Sequence, residues 1–142
     1  MKKLILILTC ALTLSALAED KTPAAPRGGQ VLNIDGQKAE FFVEPDRTVT
    51  IAFYDEAMKQ VTPAGYAITA TAEAPTGKSK LEFTQKGNLL ASTAPFPTGD
   101  NYTVVLQIRS GTNGKPKNFR INFNTSICAE CSKPEYACTC SH

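Results

Sequence analysis

The stretch Tyr102-Thr103-Val104-Val105-Leu106-Gln107-Ile108-Arg109 decides the fold. Its large apolar side chains occupy every second position, and threonine, glutamine and arginine lie among the positions between them. Because successive side chains of a strand point to opposite faces, this period of two predicts a strand with one face in a core. The same period recurs on both sides of it, in residues 39–43, 48–53, 66–71, 80–84 and 118–124. With no comparable helical stripe, the chain is predicted to be all-β.

Glycine-containing turns separate the predicted strands, at 35–36, 86–88 and 111–114. Seven or eight short strands within about 100 residues favour an antiparallel β-sandwich. Residues 96–104 look like the entry to the penultimate strand of fibronectin-type and immunoglobulin-like domains, in which a tyrosine hydroxyl binds upstream backbone. Tyr102 is then a corner tyrosine, or alternatively an ordinary inward-facing aromatic. We expect a single immunoglobulin-like sandwich over residues 28–125.

The N-terminal residues 1–18 are typical of a secretory signal peptide. Lys2 and Lys3 form its basic start, residues 4–17 are apolar, and Ala16-Leu17-Ala18 matches a cleavage site. Fourteen apolar residues are too few to span a bilayer, so we expect no membrane-embedded segment. Cys10 would leave with the signal, because Thr9 before it is a poor lipidation context. The short Met-Lys-Lys start is bacterial in style and predicts a periplasmic protein.

Composition limits the rest of the chain to one small neutral domain. The 142 residues are 42% hydrophobic, and without Lys2 and Lys3 the chain carries 13 basic and 13 acidic side chains. A neutral surface is a poor match for a phosphate backbone, so no nucleic-acid partner is expected. Residues 19–27, rich in proline and alanine, are predicted to form a flexible linker. We expect the folded domain to be a monomer.

The chemistry is predicted to lie in a cysteine-rich tail, residues 126–142, which contains Cys128, Cys131, Cys138, Cys140 and His142. Four thiolates suit tetrahedral Zn²⁺, and two or three suit Cu(I), with His142 as a possible further metal ligand. An exported protein meets an oxidising compartment, so two disulfides are the alternative, and they would join Cys128 and Cys131 to the later cysteines. A thiol-exchange pair is a third interpretation. The tail has few apolar residues and needs a crosslink, a metal or docking on the sandwich to stay ordered.

A resemblance to a known group rests on the runs 27–32 (Arg-Gly-Gly-Gln-Val-Leu), 39–43 (Ala-Glu-Phe-Phe-Val) and 48–55 (Thr-Val-Thr-Ile-Ala-Phe-Tyr-Asp). They resemble small exported bacterial proteins that accompany heavy-metal efflux systems, whose sandwich is similar to CopC-like and YtkA-like copper-associated domains. The resemblance covers residues 27–123 and implies an immunoglobulin-like sandwich with a role in metal handling. Arg27 stands where that group has a histidine, and a guanidinium cannot ligate a metal. No N-terminal metal ligand is therefore carried over.

The predicted function is that of a non-enzymatic accessory protein. Catalysis by a nucleophile or a general base needs an orienting third group, and a single histidine near the chain end supplies no such arrangement. We expect a periplasmic protein that handles Cu(I) or Zn²⁺ through its tail cysteines. The alternative is an interaction module for another envelope protein, with the tail held by disulfides. A thiol-redox factor is the third possibility.

Overall fold

The computed structural model describes residues 23–140. The predicted signal peptide, Cys10 and His142 therefore lie outside the described residues. Nine strands and one short 3-10 helix (Glu135–Ala137) form the regular structure of this range. The strands are β1 Gln30–Ile34, β2 Gln37–Val43, β3 Val49–Tyr54, β4 Gln60–Val61, β5 Tyr66–Ala74, β6 Gly77–Lys86, β7 Leu89–Ser92, β8 Tyr102–Ser110 and β9 Lys117–Phe123. Over residues 23–140, no helix has the length and apolar character that crossing a membrane requires.

All the strand pairs are antiparallel, and the strands form two sheets joined by β6. One sheet has the order β1-β2-β3-β7, with the two-residue β4 beside β3. The other has the order β5-β8-β9. The first part of β6, up to Glu82, pairs with β5, whereas Phe83 to Lys86 pair with β7. The predicted all-β antiparallel sandwich with a cysteine-rich tail is confirmed, with nine strands where seven or eight were predicted.

The connections are those of an immunoglobulin-like sandwich. If β1 and β4 are set aside, one sheet holds β2, β3, β7 and the end of β6, and the other holds β5, β8 and β9. This is the four-plus-three division of the constant-type immunoglobulin fold. Strand β8 is central in its sheet, between β5 and β9. Its residues Tyr102, Val104, Leu106 and Ile108 are buried, and the residues between them are partly exposed.

The core lies between the two sheets and is rich in phenylalanine. The inward rows of β2, β3, β8 and β9 are almost completely buried, and they contain Phe41, Ile51, Phe53, Leu106, Ile108, Ile121 and Phe123. Each such side chain contributes about 1.5–3 kcal/mol of burial free energy. The ring of Phe123 stacks on Phe96 at 5.5 Å and on Tyr102 at 4.8 Å between centroids. This aromatic stack lies at the end of the sandwich where the tail begins.

Glu40 departs from the alternating pattern that the sequence predicts. The pattern places it on the polar face of β2, yet it is only 1% exposed. Its Oε1 accepts hydrogen bonds from the backbone N–H groups of Arg27 (3.0 Å) and Gly29 (2.8 Å), and its Oε2 accepts one from the Tyr54 hydroxyl at 2.8 Å. A buried carboxylate is tolerated when it is fully hydrogen-bonded in this way. The segment just before β1 is thereby fixed over the outer face of the sheet.

Arg27 reinforces the same contact with its side chain. The guanidinium donates to the Thr50 hydroxyl at 2.7 Å and to Glu44 Oε1 at 2.5 Å, and it lies 4.0 Å from the centroid of the Phe42 ring. A planar guanidinium can donate hydrogen bonds at its edge and stack on an aromatic ring with its face at the same time. Arg27 therefore attaches the last residues of the predicted linker to β2 and β3.

Tyr102 stands at the corner before β8. Its hydroxyl donates to the carbonyl oxygen of Pro97, five residues upstream, at 2.9 Å. The Arg47 guanidinium donates to the carbonyl oxygens of Pro97 and Gly99, both at 2.6 Å. Burial raises the pKa of Tyr102, against the opposing effect of Arg47. This corner holds the loop before β8 against the turn between β2 and β3.

Candidate metal centre

A closed loop over residues 127–134 carries the first two cysteines. Ile127 and Pro134 form an isolated antiparallel bridge at its base. Inside the loop, the Cys128 N–H donates to the Lys133 carbonyl at 2.8 Å, and the Ser132 N–H donates to the Cys128 carbonyl at 3.0 Å. Ser132 has φ 58°, a left-handed conformation that tightens the turn after Cys131. The loop thus brings Cys128 and Cys131 to the same side.

The 3-10 helix that follows returns the chain over this loop. Its start is fixed by the Glu135 N–H, which donates to the Ser126 carbonyl at 2.8 Å, and by the Tyr136 N–H, which donates to the Asn124 carbonyl at 3.0 Å. The Cys138 N–H donates to the Glu135 carbonyl at 3.2 Å, after which the chain is extended. Cys138 and Cys140 therefore lie above Cys128 and Cys131.

Tyr136 attaches the tail to the sandwich. It is 5% exposed, and its ring packs edge-on against Phe41 at 5.8 Å between centroids. Its hydroxyl oxygen accepts a hydrogen bond from the Val43 N–H at 3.1 Å. Burial raises its pKa, so the hydroxyl stays neutral at physiological pH. The sequence predicted docking on the sandwich as one way to order the tail, and the contacts of Tyr136 show such docking.

The four cysteine sulfurs lie within 4.8 Å of one another. The Sγ of Cys138 is 3.4 Å from that of Cys128 and 3.6 Å from that of Cys131. A tetrahedral ion with metal–sulfur bonds of about 2.3 Å requires sulfurs about 3.8 Å apart, whereas a disulfide requires about 2.05 Å. No disulfide joins any of the cysteines among residues 23–140. The cluster therefore has the dimensions of a site that could hold one metal ion.

The site is closed on one side and open on the other. Cys128 is buried, at 1% exposure, while Cys131, Cys138 and Cys140 are partly exposed. A closed four-cysteine arrangement is usual for a structural ion, but three partly exposed cysteines would also allow an ion to enter or leave.

The pKa shifts of Cys131, Cys138 and Cys140 differ in direction. The Lys133 N–H lowers the pKa of Cys131. The Cys140 N–H, 3.4 Å from the Cys138 sulfur, acts in the same direction on Cys138, but burial and the thiols of Cys128 and Cys131 outweigh it and raise the pKa. The pKa of Cys140 is raised most, because Cys138 and Cys131 share hydrogen bonds with it. A bound cation would favour loss of the protons from Cys138 and Cys140, whose pKa values are raised.

Comparison of the chain with known protein families, curated proteins and solved structures gives no match. The resemblance to CopC-like and YtkA-like domains therefore stays a prediction. The identity of an ion has to be argued from the four sulfurs themselves.

The sequence pointed to the four cysteines but missed the residues that position them. Tyr136 was a detectable signal, since it is the one aromatic side chain in an otherwise polar tail. Glu40, which fixes the segment before β1, gave no such signal, because its hydrogen-bond partners at Arg27 and Gly29 lie next to it only after folding.

Proposed function

We propose that this protein is a non-enzymatic, periplasmic accessory protein that binds one Zn²⁺ or Cu(I) ion through Cys128, Cys131, Cys138 and Cys140. The observation that carries the proposal is the mutual approach of all four sulfurs within 4.8 Å. Four neutral thiols gain little interaction energy by lying so close together, whereas four thiolates around a cation are strongly stabilised by its charge. The immunoglobulin-like sandwich serves as a rigid support for the site.

The two ions place different demands on the cluster. Zn²⁺ would use all four sulfurs in a tetrahedron, as in structural zinc sites. Cu(I) would use two or three and leave at least one cysteine thiol unligated. Ion content and the number of alkylatable thiols in the loaded protein therefore distinguish them.

The test is metal binding by the full chain after purification under reducing, anaerobic conditions. Native mass spectrometry should find one ion per chain, and Co²⁺ should give the intense thiolate-to-metal absorption of a tetrahedral four-sulfur site. Cys131→Ser combined with Cys138→Ser should abolish both signals while the β-rich circular dichroism stays intact. Thr139→Ala, between two of the cysteines, is the matched control and should bind as the parent does. A metal-free protein would overturn the proposal.

The second candidate is an interaction module for another envelope protein, with the tail held by disulfides. It is favoured by the 3.4 Å between the sulfurs of Cys128 and Cys138, because a small movement would allow them to bond after oxidation. A groove of about 400 Å³ beside the tail, lined by Phe42, Pro45 and Pro134 among others, is a possible contact surface. Protein that contains neither metal nor reactive thiols would support this candidate.

A further inference from the structure

Cys138 lies close to both cysteines of the preceding loop. Its Sγ is 3.4 Å from that of Cys128 and 3.6 Å from that of Cys131. A disulfide bond is about 2.05 Å long, so either sulfur would have to approach Cys138 by about 1.5 Å to form one. Rotation of the side chains can supply such a movement. The same cluster that could hold an ion is therefore also close to a crosslinked state.

Cys138 is accessible to a small oxidant, whereas Cys128 is not. Cys138 is partly exposed and lines a cavity of about 210 Å³, while Cys128 is only 1% exposed. At a liquid volume of about 30 Å³ per water, this cavity has room for about seven waters, and so for a molecule as small as hydrogen peroxide. We therefore expect oxidation to begin at Cys138, with the buried Cys128 sulfur as its reaction partner.

The backbone of the tail is held by contacts that do not involve sulfur. The Val43 N–H donates to the Tyr136 hydroxyl oxygen at 3.1 Å, and the Glu135 N–H donates to the Ser126 carbonyl at 2.8 Å. Many small metal-binding domains unfold when their ion is lost, because little else orders them. In this chain the docked Tyr136 would keep the tail in place after the ion has left. The sulfurs could then return to their reduced arrangement.

We propose that the cysteine cluster is a peroxide-sensitive switch, in which oxidation joins Cys138 to Cys128 and releases the bound ion while the tail stays docked on the sandwich. The inference rests on the proposed function and adds a regulation to the same site. The metal-bound tail and the disulfide-bonded tail are then two states of one protein.

The oxidation proceeds in two displacements. The Cys138 thiolate attacks one oxygen of hydrogen peroxide, so that an S–O bond forms, the O–O bond breaks and hydroxide leaves. The Cys128 thiolate then attacks the sulfur of the resulting sulfenic acid, an S–S bond forms, and a second hydroxide leaves. The two sulfurs lose two electrons, which the peroxide gains, and two protons from solvent convert the hydroxides to water. Cys131 and Cys140 remain, and two thiolates are too few for a tetrahedral zinc site.

The test uses the full chain loaded with Zn²⁺ under anaerobic conditions, and its zinc content is measured first. One equivalent of hydrogen peroxide should release the zinc and leave two of the four tail cysteines open to alkylation. Peptide mapping should find Cys128 joined to Cys138. A dithiol reductant with added Zn²⁺ should restore the original zinc content. The Val43 amide should stay protected from hydrogen exchange throughout, because its bond to Tyr136 persists.

Cys138→Ala and Cys140→Ala form a matched pair, because each removes one of the last two cysteines and leaves three. Cys140→Ala should still join Cys128 to Cys138 at the rate of the parent. Cys138→Ala should lose its thiols about ten-fold more slowly, since the sulfur that is both accessible and close to Cys128 is absent. Both variants are also compared with the parent in the reduced, zinc-free form, so the result does not depend on their metal affinity.

The outcomes separate the switch from the metal site. A parent chain that takes up no zinc overturns the proposed function itself. A zinc-loaded chain that keeps its ion after peroxide treatment overturns the switch alone. So does a disulfide that excludes Cys138, an equal rate of thiol loss in the two variants, or loss of protection at Val43 on oxidation.

Discussion

The hydroxyl oxygen of Tyr136 accepts a hydrogen bond from the backbone N–H of Val43 across 93 residues of sequence. The contact joins the segment between the two cysteine pairs to the end of β2. Because the Tyr136 ring also packs on Phe41 in the core, the tail is part of the folded unit. We therefore expect the stability of the sandwich and the metal affinity of the proposed cysteine site to be coupled.

Substitution of Tyr136 should lower the free energy of unfolding and, when the whole ring is removed, the metal affinity as well. We expect Tyr136→Phe to lower the free energy of unfolding by about 1 kcal/mol, since the Val43 N–H loses its partner. Tyr136→Ala should cost about 3–5 kcal/mol and also reduce metal affinity, because the helix that carries Cys138 loses its anchor. Urea denaturation and chelator competition measure the two effects. Unchanged metal affinity in Tyr136→Ala would contradict the coupling.

Metal affinity should increase with pH. Thiols bind ions as thiolates, and the pKa values of Cys138 and Cys140 are raised, so at neutral pH binding must release their protons. The apparent association constant should rise about ten-fold per pH unit for each proton released. Chelator competition between pH 6 and pH 8 measures the slope, and Cys140→Ser should reduce it by about one proton. A pH-independent constant would exclude thiolate ligation.

Alkaline pH should destabilise the sandwich through Tyr54. Burial, followed by the hydrogen bond to Glu40, raises its pKa from 10.0 to about 12. Between these values the unfolded chain loses the phenolic proton and the folded chain retains it, so stability present below pH 10 is lost as pH rises toward 12. The loss is about 2 kcal/mol. Denaturation at several pH values should show that the free energy of unfolding of Tyr54→Phe declines less steeply with pH than that of the parent. If Tyr54 in the folded protein titrates at pH 10, the prediction is wrong.

A methyl group at residue 29 should disrupt the segment before β1. A Cβ built on Gly29 would collide with the carbonyl oxygen of Phe41 and crowd the Glu40 side chain. We expect Gly29→Ala to cost about 1–3 kcal/mol, as overpacking does. Gly87→Ala is an informative comparison, because its Cβ would meet nothing within 4 Å and only its φ of +60° is unfavourable. Thermal melts should give a lower melting temperature for Gly29→Ala than for Gly87→Ala, and the reverse order would contradict the predicted collision at residue 29.

Local pattern predicted six of the nine strands in residues 23–140 and missed β1, β4 and β7. Strand β8 is nine residues long and alternates, whereas β7, Leu89–Ser92, has four residues, three of them buried, and no polar alternation. Glu40 was placed in solvent because nothing in β2 indicates the segment that covers it. The cysteine spacing indicated a cluster, since two close thiol pairs on either side of a short loop can fold around one ion. Tyr136 could be singled out as the one aromatic residue of the tail, but its partner Val43 on β2 could not, because the two are 93 residues apart in sequence.

Residues 23–25 and residues 137–139, from opposite ends of the described range 23–140, line one small cavity beside Cys138. The turns at Asp35-Gly36 and Gly111-Gly114 lie at the far end of the strands, where Lys117 approaches Asp35 at 3.9 Å. A fluorescent or cross-linking label placed on those turns would therefore report on the protein at a distance from the four cysteines.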